Sequence, residues 1–235
     1  MTTILALAAL APAVQSPKID AYVQTNFHDA SFTAKVVKKD QDELKKINDD
    51  FGQGYRFNST TVRLKEPFKV RLDANVEDTT VSYIVNGTRN RIRVPRLKLD
   101  KKEDLSNDPG RRQTLMDFGI LTPSLFNGLF DAKFVRIDRA TGDVVFDLTY
   151  EPRFRDKTRY RVWIDADKKY VTKREWYHRK GRMVATFIYE APVTENGATM
   201  PSRLTVKNGD DIVAGVTRYD GVRLNTGITD DVFSF

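Results

Sequence analysis

The sequence predicts a mainly β protein: a large, strongly curved antiparallel sheet with a few short helices on its concave side. Three observations carry that prediction. Apolar and charged residues alternate with period two over most of the chain, and turn-forming residues recur between the alternating runs. Two short segments near the middle are apolar at almost every position, so they must be buried, most simply against the concave face of the sheet.

The alternation is clearest from Val62 to Pro95. Phe68, Val70, Leu72, Ala74 and Val76 fall on one face, with Lys69, Arg71 and Asp73 on the other. After a polar turn at Glu77-Asp78, Val81, Tyr83 and Val85 repeat the pattern. Asn86-Gly87 supplies the pair that a tight hairpin prefers, because both central positions then need positive φ. The following strand sends Arg89, Arg91 and Arg93 outward, with Ile92 and Val94 between them.

Ahead of this meander, Ile4–Ala11 is an uninterrupted apolar run, too short to span a bilayer but long enough for the core of a secretory signal. Ala11-Pro12-Ala13 places small residues where a signal peptidase reads, although no Lys or Arg precedes the run. Residues 1–13 are therefore expected to be a leader for export to the periplasm, and 14–235 one domain. Ile19, Tyr22, Val23 and Phe27 have helical spacing, 31–38 alternates as a strand, and 40–51 is expected to be a surface helix. Strand resumes from Tyr55 to Leu64.

Beyond the meander, 100–107 is expected to be a solvated loop. Asp108-Pro109 and Thr122-Pro123 read as starts of two helices carrying Leu115, Phe118, Leu121, Leu125, Phe126, Leu129 and Phe130. From Lys133 the chain returns to strands. Val144, Phe146, Leu148 and Tyr150 alternate with Val145, Asp147 and Thr149, Tyr160, Val162 and Ile164 alternate with Arg159, Arg161 and Trp163, and Met183, Ala185, Phe187 and Tyr189 follow the same period. Turns are expected at 138–143, 165–168, 179–181 and Asn208-Gly209. The total is about ten strands, wide enough to curl.

Composition narrows the chemistry. There is no cysteine, which removes disulfides, thiolate metal sites and a cysteine nucleophile together. The net charge of +7 fits either an acidic partner, such as an anionic membrane, or solvated basic strand faces. His28 and His178 lack ligand-spaced companions, so no metal is expected. The carboxylates at Asp49-Asp50, Asp210-Asp211 and Asp230-Asp231 are adjacent, and neighbours on a strand point to opposite faces, which makes them poor acid/base couples. No nucleophile elbow and no phosphate-cradling glycine loop occurs. The arginine row at 89, 91 and 93 has no interleaved aromatics, which argues against nucleic acid. What remains is an apolar inner face and two apolar helices. Periodicity is equally satisfied by an ordinary filled core and by a hydrophobic cavity.

Several short motifs, in their order, resemble the outer-membrane lipoprotein-sorting proteins: the LolA-like periplasmic carriers and their LolB-like relatives. They are Lys65-Glu66-Pro67-Phe68-Lys69-Val70-Arg71, Val81-Ser82-Tyr83-Ile84-Val85-Asn86-Gly87, Tyr160-Arg161-Val162-Trp163-Ile164-Asp165, Met200-Pro201-Ser202-Arg203 and Asp231-Val232-Phe233-Ser234-Phe235. The resemblance implies an unclosed half-barrel whose helices form a lid over an apolar cavity for lipid acyl chains. It implies a non-catalytic, cofactor-free monomer that exchanges lipoprotein acyl chains or another lipid with membrane-bound donors and acceptors. Family members usually carry arginine before the junction proline, with a role in lid opening; this chain has Glu66 there, and the 40–51 insertion is a second departure.

On that basis the expected cavity wall is Phe68, Val70, Leu72, Val81, Tyr83, Val85, Phe146, Leu148, Tyr160, Val162, Phe187 and Tyr189. The expected lid is Phe118, Leu121, Leu125, Phe126, Leu129 and Phe130, and the expected gate or headgroup contacts are Arg63, Lys65 and Arg71. An envelope sensor or scaffold that binds a protein partner with a filled core is the alternative.

Overall fold

The computed structural model describes residues 16–76 and 79–235; the apolar run at Ile4–Ala11 and the turn at Glu77-Asp78 lie outside the described residues. The described strands are β1 (Asp29–Lys39), β2 (Ser59–Lys65), β3 (Lys69–Val76), β4 (Thr79–Asn86), β5 (Arg89–Val94), β6 (Leu99–Asp104) and β7 (Phe130–Ile137). They continue with β8 (Val144–Tyr150), β9 (Arg159–Ile164), β10 (Val171–Tyr177), β11 (Met183–Glu195), β12 (Ala198–Asn208) and β13 (Val213–Leu224). All thirteen form one unclosed antiparallel sheet in the order β6-β5-β4-β3-β2-β1-β13-β12-β11-β10-β9-β8-β7.

That order explains where the middle of the chain must go. β1 starts at the centre and the meander runs outward to one edge at β6; β7 begins at the opposite edge and the chain meanders back to pair β13 with β1. Residues 105–129 are the connection between the two edges. A segment that crosses a whole sheet on one side has to be apolar towards it, and this one is.

The count exceeds the about ten strands expected, for identifiable reasons. The loop expected at 100–107 is largely β6, an edge strand of charged residues (Leu99–Asp104) paired with β5. β10 was hidden because its register shifts between Val171 and Lys173, which breaks the alternation. β11 and β12 are joined at Asn196-Gly197, where both residues have positive φ (48° and 77°), as a primed turn requires. At the expected Asn86-Gly87 turn the pairing is different. Asn86 is the last rung opposite Arg89, and Gly87 (φ 65°) opens the two-residue loop.

The helices are shorter than expected. The N-terminal helix is one 3-10 turn, Ile19–Tyr22, and the two apolar helices are 3-10 turns at Leu115–Phe118 and Pro123–Phe126. Thr-Pro and Asp-Pro start turns here rather than helices, because four-residue pieces gain more from fitting the sheet than from their own hydrogen bonds. The 40–51 segment becomes α1 (Gln41–Ile47) and α2 (Asp49–Gly54), with Asp40 Oδ1 accepting from the Asp42 and Glu43 amides at 3.1 Å. It lies at the surface as expected, with Asp42, Lys45 and Lys46 exposed and Leu44 and Ile47 turned into the core, but it is broken into two helices.

Two apolar clusters cover the inner face. One, over the β1–β6 half, holds Phe32, Val62, Leu64, Val70 and Val85. The other, over the β7–β13 half, holds Phe146, Leu148, Val162, Ile164, Phe187 and Tyr189. The outer face carries ion pairs instead. Asp73 accepts from Arg63 (3.0 Å) and Arg71 (2.7 Å), and Asp147 from Arg159 (2.9 Å) and Arg161 (2.7 Å).

Candidate functional site: a strap latched to the inner face

The inner face is occupied by the 105–129 strap. Leu115, Phe118 and Ile120 join the cluster of the first half-sheet, while Met116, Leu121, Leu125 and Leu129 join that of the second. A run of consecutive residues thus divides itself between both halves, which only a non-helical, twisting backbone allows. The expected lid residues lie here: Phe118, Leu121, Leu125 and Leu129 are buried, Phe126 is half-buried, and Phe130 is the first residue of β7.

Hydrogen bonds fasten the strap at several points. The Gln24 amide donates to the Leu121 carbonyl (2.8 Å) and the Val171 amide to the Gly119 carbonyl (2.9 Å); Ile120 makes an antiparallel bridge with Tyr170. The Thr122 hydroxyl donates to Glu66 Oε2 at 2.9 Å. Glu66, at the junction before Pro67, therefore touches the strap. Gly119 lies at φ 79°, where a Cβ would come within 2.8 Å of Pro201 and 3.0 Å of Tyr189. Only glycine permits that approach.

The expected wall residues share one face but form two groups. Val70 opposes Val85 and Leu72 opposes Tyr83 in the first half; Phe146 opposes Val162 and Leu148 opposes Tyr160 in the second. Val81 opposes Ala74 on the same face. Phe68 precedes β3 at φ 51° and is half-buried beneath the Arg112 guanidinium, 4.5 Å from its ring centroid. Arg63, Lys65 and Arg71 point the other way. Arg63 and Arg71 bind Asp73, Lys65 binds Asp230 (2.7 Å), and Arg71 also donates to the Val232 carbonyl (2.8 Å) of the C-terminal turn Asp230–Phe233. They anchor that turn to the outer face, away from the strap.

The group that sequence reasoning missed is Arg174, on the inner face of β10 between Val162 and Phe187. It is 4% exposed. Nη1 donates to Asp117 Oδ1 of the strap at 2.7 Å, and the guanidinium lies over the Phe187 ring (4.2 Å) and within 5.5 Å of the Tyr160 ring centroid. Asp117 Oδ2 meanwhile accepts from the Thr114 amide at 2.8 Å, so one carboxylate shapes the turn and holds the arginine. The Tyr189 hydroxyl donates to the Met116 and Asp117 carbonyls (3.3 Å each). Burial pushes the phenols of Tyr150, Tyr160 and Tyr189 up, that of Tyr160 to about 12, so all three stay neutral. Asp117 is therefore the anion that balances Arg174. Breaking such a pair from one side costs about 3–5 kcal/mol when both groups are buried, somewhat less here because Asp117 is partly exposed.

A signal for Arg174 was present in Val171-Thr172-Lys173-Arg174-Glu175-Trp176-Tyr177. Lys173, Glu175 and Tyr177 make one strand face wholly polar, which leaves Arg174 and Trp176 to face inward.

Two clefts lie outside the packed interior. One of about 620 Å³ is bordered mainly by polar residues, among them Asn107, Asp156, Lys157 and Arg179; the other, of about 480 Å³, lies between Lys18–Asp20 and Ala132–Phe134. The apolar inner face itself is filled by the strap.

The fold can be set beside proteins of known sequence and structure. A family model described as an uncharacterized protein matches residues 124–235. No curated protein matches the chain. Among solved structures, a domain described as an outer membrane lipoprotein-sorting protein from Vibrio parahaemolyticus is 14% identical, with a TM-score of 0.53 over 92% of each chain. A LolA superfamily protein from Nitrosomonas europaea is 13% identical, with a TM-score of 0.56 over 92% of this chain and 94% of that one. A DUF1329 family protein from Desulfovibrio piger is 11% identical, with a TM-score of 0.56 over 94% and 98%. At these identities the likeness is one of fold, and the resemblance read from the sequence motifs holds at that level.

Proposed function

We propose that this protein is a non-catalytic carrier of the cell envelope that shelters acyl chains of a lipoprotein or another lipid where its strap now lies. The observation behind this reading is that the 105–129 connection, which belongs to no strand, lies packed against the apolar inner face of both halves of the sheet. Periplasmic location, and a leader in 1–13 ahead of a single domain in 14–235, belong to the same proposal.

The energetics shape how loading works. Exposing a Leu or Phe costs about 1.5–3 kcal/mol, so lifting four such strap residues into water costs roughly 6–12 kcal/mol. An acyl chain of about fifteen methylenes returns a similar sum when it comes from water, at about 0.8 kcal/mol each. It returns almost nothing when it comes from a bilayer, because both environments are apolar. Uptake from a membrane therefore requires the displaced strap to be covered again, by the membrane surface or by a donor protein. The wall residues from Phe68 to Val85 and from Phe146 to Tyr189 would then line the opened space.

An engineered disulfide tests this. Ile120 and Tyr170 face each other in an antiparallel bridge, within the Cα separation a disulfide accepts, and the chain has no cysteine to interfere. Oxidised Ile120→Cys/Tyr170→Cys protein should fail to take a fluorescent fatty acid from donor vesicles and recover on reduction. Equal uptake by the oxidised and reduced forms would rule out strap displacement.

The packed interior also favours a second reading, in which the filled domain is a sensor or scaffold for a protein partner. Mass spectrometry of an organic extract of protein purified from the envelope separates the two. A stoichiometric lipid favours the carrier, and its absence favours the scaffold.

A further inference from the structure

We infer that the ligand carries an anionic oxygen head on its acyl chain, and that this head takes the place of Asp117 on Arg174. The inference rests on the carrier reading and deepens it. A neutral acyl chain that displaced the strap would remove Asp117 and leave a guanidinium facing an apolar space, a buried charge with no partner. A ligand that brings its own carboxylate or phosphate exchanges one charge-assisted pair for another. The latch therefore opens with little loss only for an anionic amphiphile.

The hydrogen-bond inventory points the same way. Arg174 Nε is buried without an acceptor even while Nη1 holds Asp117, and Trp176 Nε1, two residues along the same strand face, is also buried without one. An unpaired donor on the guanidinium itself, with a second on the same strand face, is a surplus that an acceptor-only group satisfies, since a carboxylate or phosphate offers several lone pairs and no proton. Asp117 reaches this site from the strap with one oxygen, its other being held by the Thr114 amide. It is a partial occupant of a place shaped for a fuller one. The other half of the inner face, built on Leu64, Val70 and Val85, suits the tail.

The test compares oleate, 1-oleoyl-lysophosphatidic acid and neutral 1-monooleoylglycerol, which share one tail, on the full chain at pH 8 and below micelle-forming concentrations. The wild type should bind at least one anionic lipid more tightly than the neutral one by about tenfold or more. Which anion wins tells a fatty-acid carboxylate from a phosphate head. Arg174→Met should lose the preference, with monooleoylglycerol binding rising because no latch has to break and no buried charge is left unpaired when the strap lifts. Asp117→Asn, which retains an oxygen for the Thr114 amide, provides a variant that does not depend on the arginine being replaceable. It should tighten oleate and monooleoylglycerol together, about tenfold, because the latch that both must open is weakened. Equal binding of all three lipids by the wild type would overturn this inference and leave the carrier standing. Unchanged oleate affinity in Asp117→Asn would also overturn it. Failure of all three lipids to bind would overturn the carrier and this inference with it.

Discussion

The two halves of the sheet are built alike on the outside and differently on the inside. On the outer face each half clamps one aspartate between two arginines, Asp73 with Arg63 and Arg71, and Asp147 with Arg159 and Arg161. On the inner face the β1–β6 half presents aliphatic and aromatic side chains to the strap, whereas the β7–β13 half adds Arg174 and the hydroxyls of Tyr150, Tyr160 and Tyr189. The strap thus touches the first half mainly through apolar packing, with polar contacts at its margin from Thr122 to Glu66 and from Arg112 to Phe68, and the second half through a buried ion pair as well. Apolar contacts exchange freely for any other apolar group; a buried charge exchanges only for an equivalent anion. The difference separates what holds the strap from what decides which ligand can replace it.

The largest effects should appear when each half is broken in its own way. Leu64→Ala should cost about 3 kcal/mol through an unfilled cavity in the first half. Asp117→Ala should cost about 3 kcal/mol by orphaning Arg174. Urea denaturation separates them further: adding Arg174→Met should restore most of the stability lost in Asp117→Ala and none of that lost in Leu64→Ala. If the double variant is no better than Asp117→Ala, the ion pair is not what the second half contributes.

A smaller effect is expected at Gly119. Its positive φ and the nearness of Pro201 and Tyr189 leave no room for a methyl, so Gly119→Ala should cost about 1–2 kcal/mol. The damage should be local. Hydrogen exchange at the Val171 amide, which bonds the Gly119 carbonyl, should accelerate more than exchange in β2 or β3.

The smallest effect tests the sameness of the outer faces. Burial pushes the carboxyls of Asp73 and Asp147 up, but their arginines overcome it and hold both below the ordinary value of 3.8. A carboxyl lowered in the folded state stabilises fully above its unfolded value and loses that contribution as pH falls through the folded one. Stability should therefore decline below about pH 4, and Asp73→Asn and Asp147→Asn should each flatten the decline by a similar amount, under about 1 kcal/mol. Urea midpoints between pH 5 and pH 2.5 check it.

How much was legible varied with the length of each signal. Long alternating runs, such as Lys69–Val76 and Val144–Tyr150, declared both strand and facing, because one buried face imposes period two over many residues. The 3-10 turns of the strap did not declare themselves: Pro109 and Pro123 are equally at home opening a helix. β6 was obscured by its charges, which serve an exposed edge. Arg174 was overlooked because a charged residue on an inward face contradicts the pattern used to find inward faces, and its partner lies fifty-seven positions away. Arg63, Lys65 and Arg71 are close to Glu66 in sequence, yet strand alternation puts them on the opposite side from the strap.

The amino-acid sequence alone determined that this is a wide antiparallel sheet with one apolar face and an apolar middle segment to cover it, since alternation and turn chemistry are local properties. Tertiary structure decided that the strap lies between the sheet's two edges and that Asp117 meets Arg174. Both depend on strand order, and pairing between residues far apart in the chain follows from which arrangement buries the most apolar surface while leaving no charge without a partner.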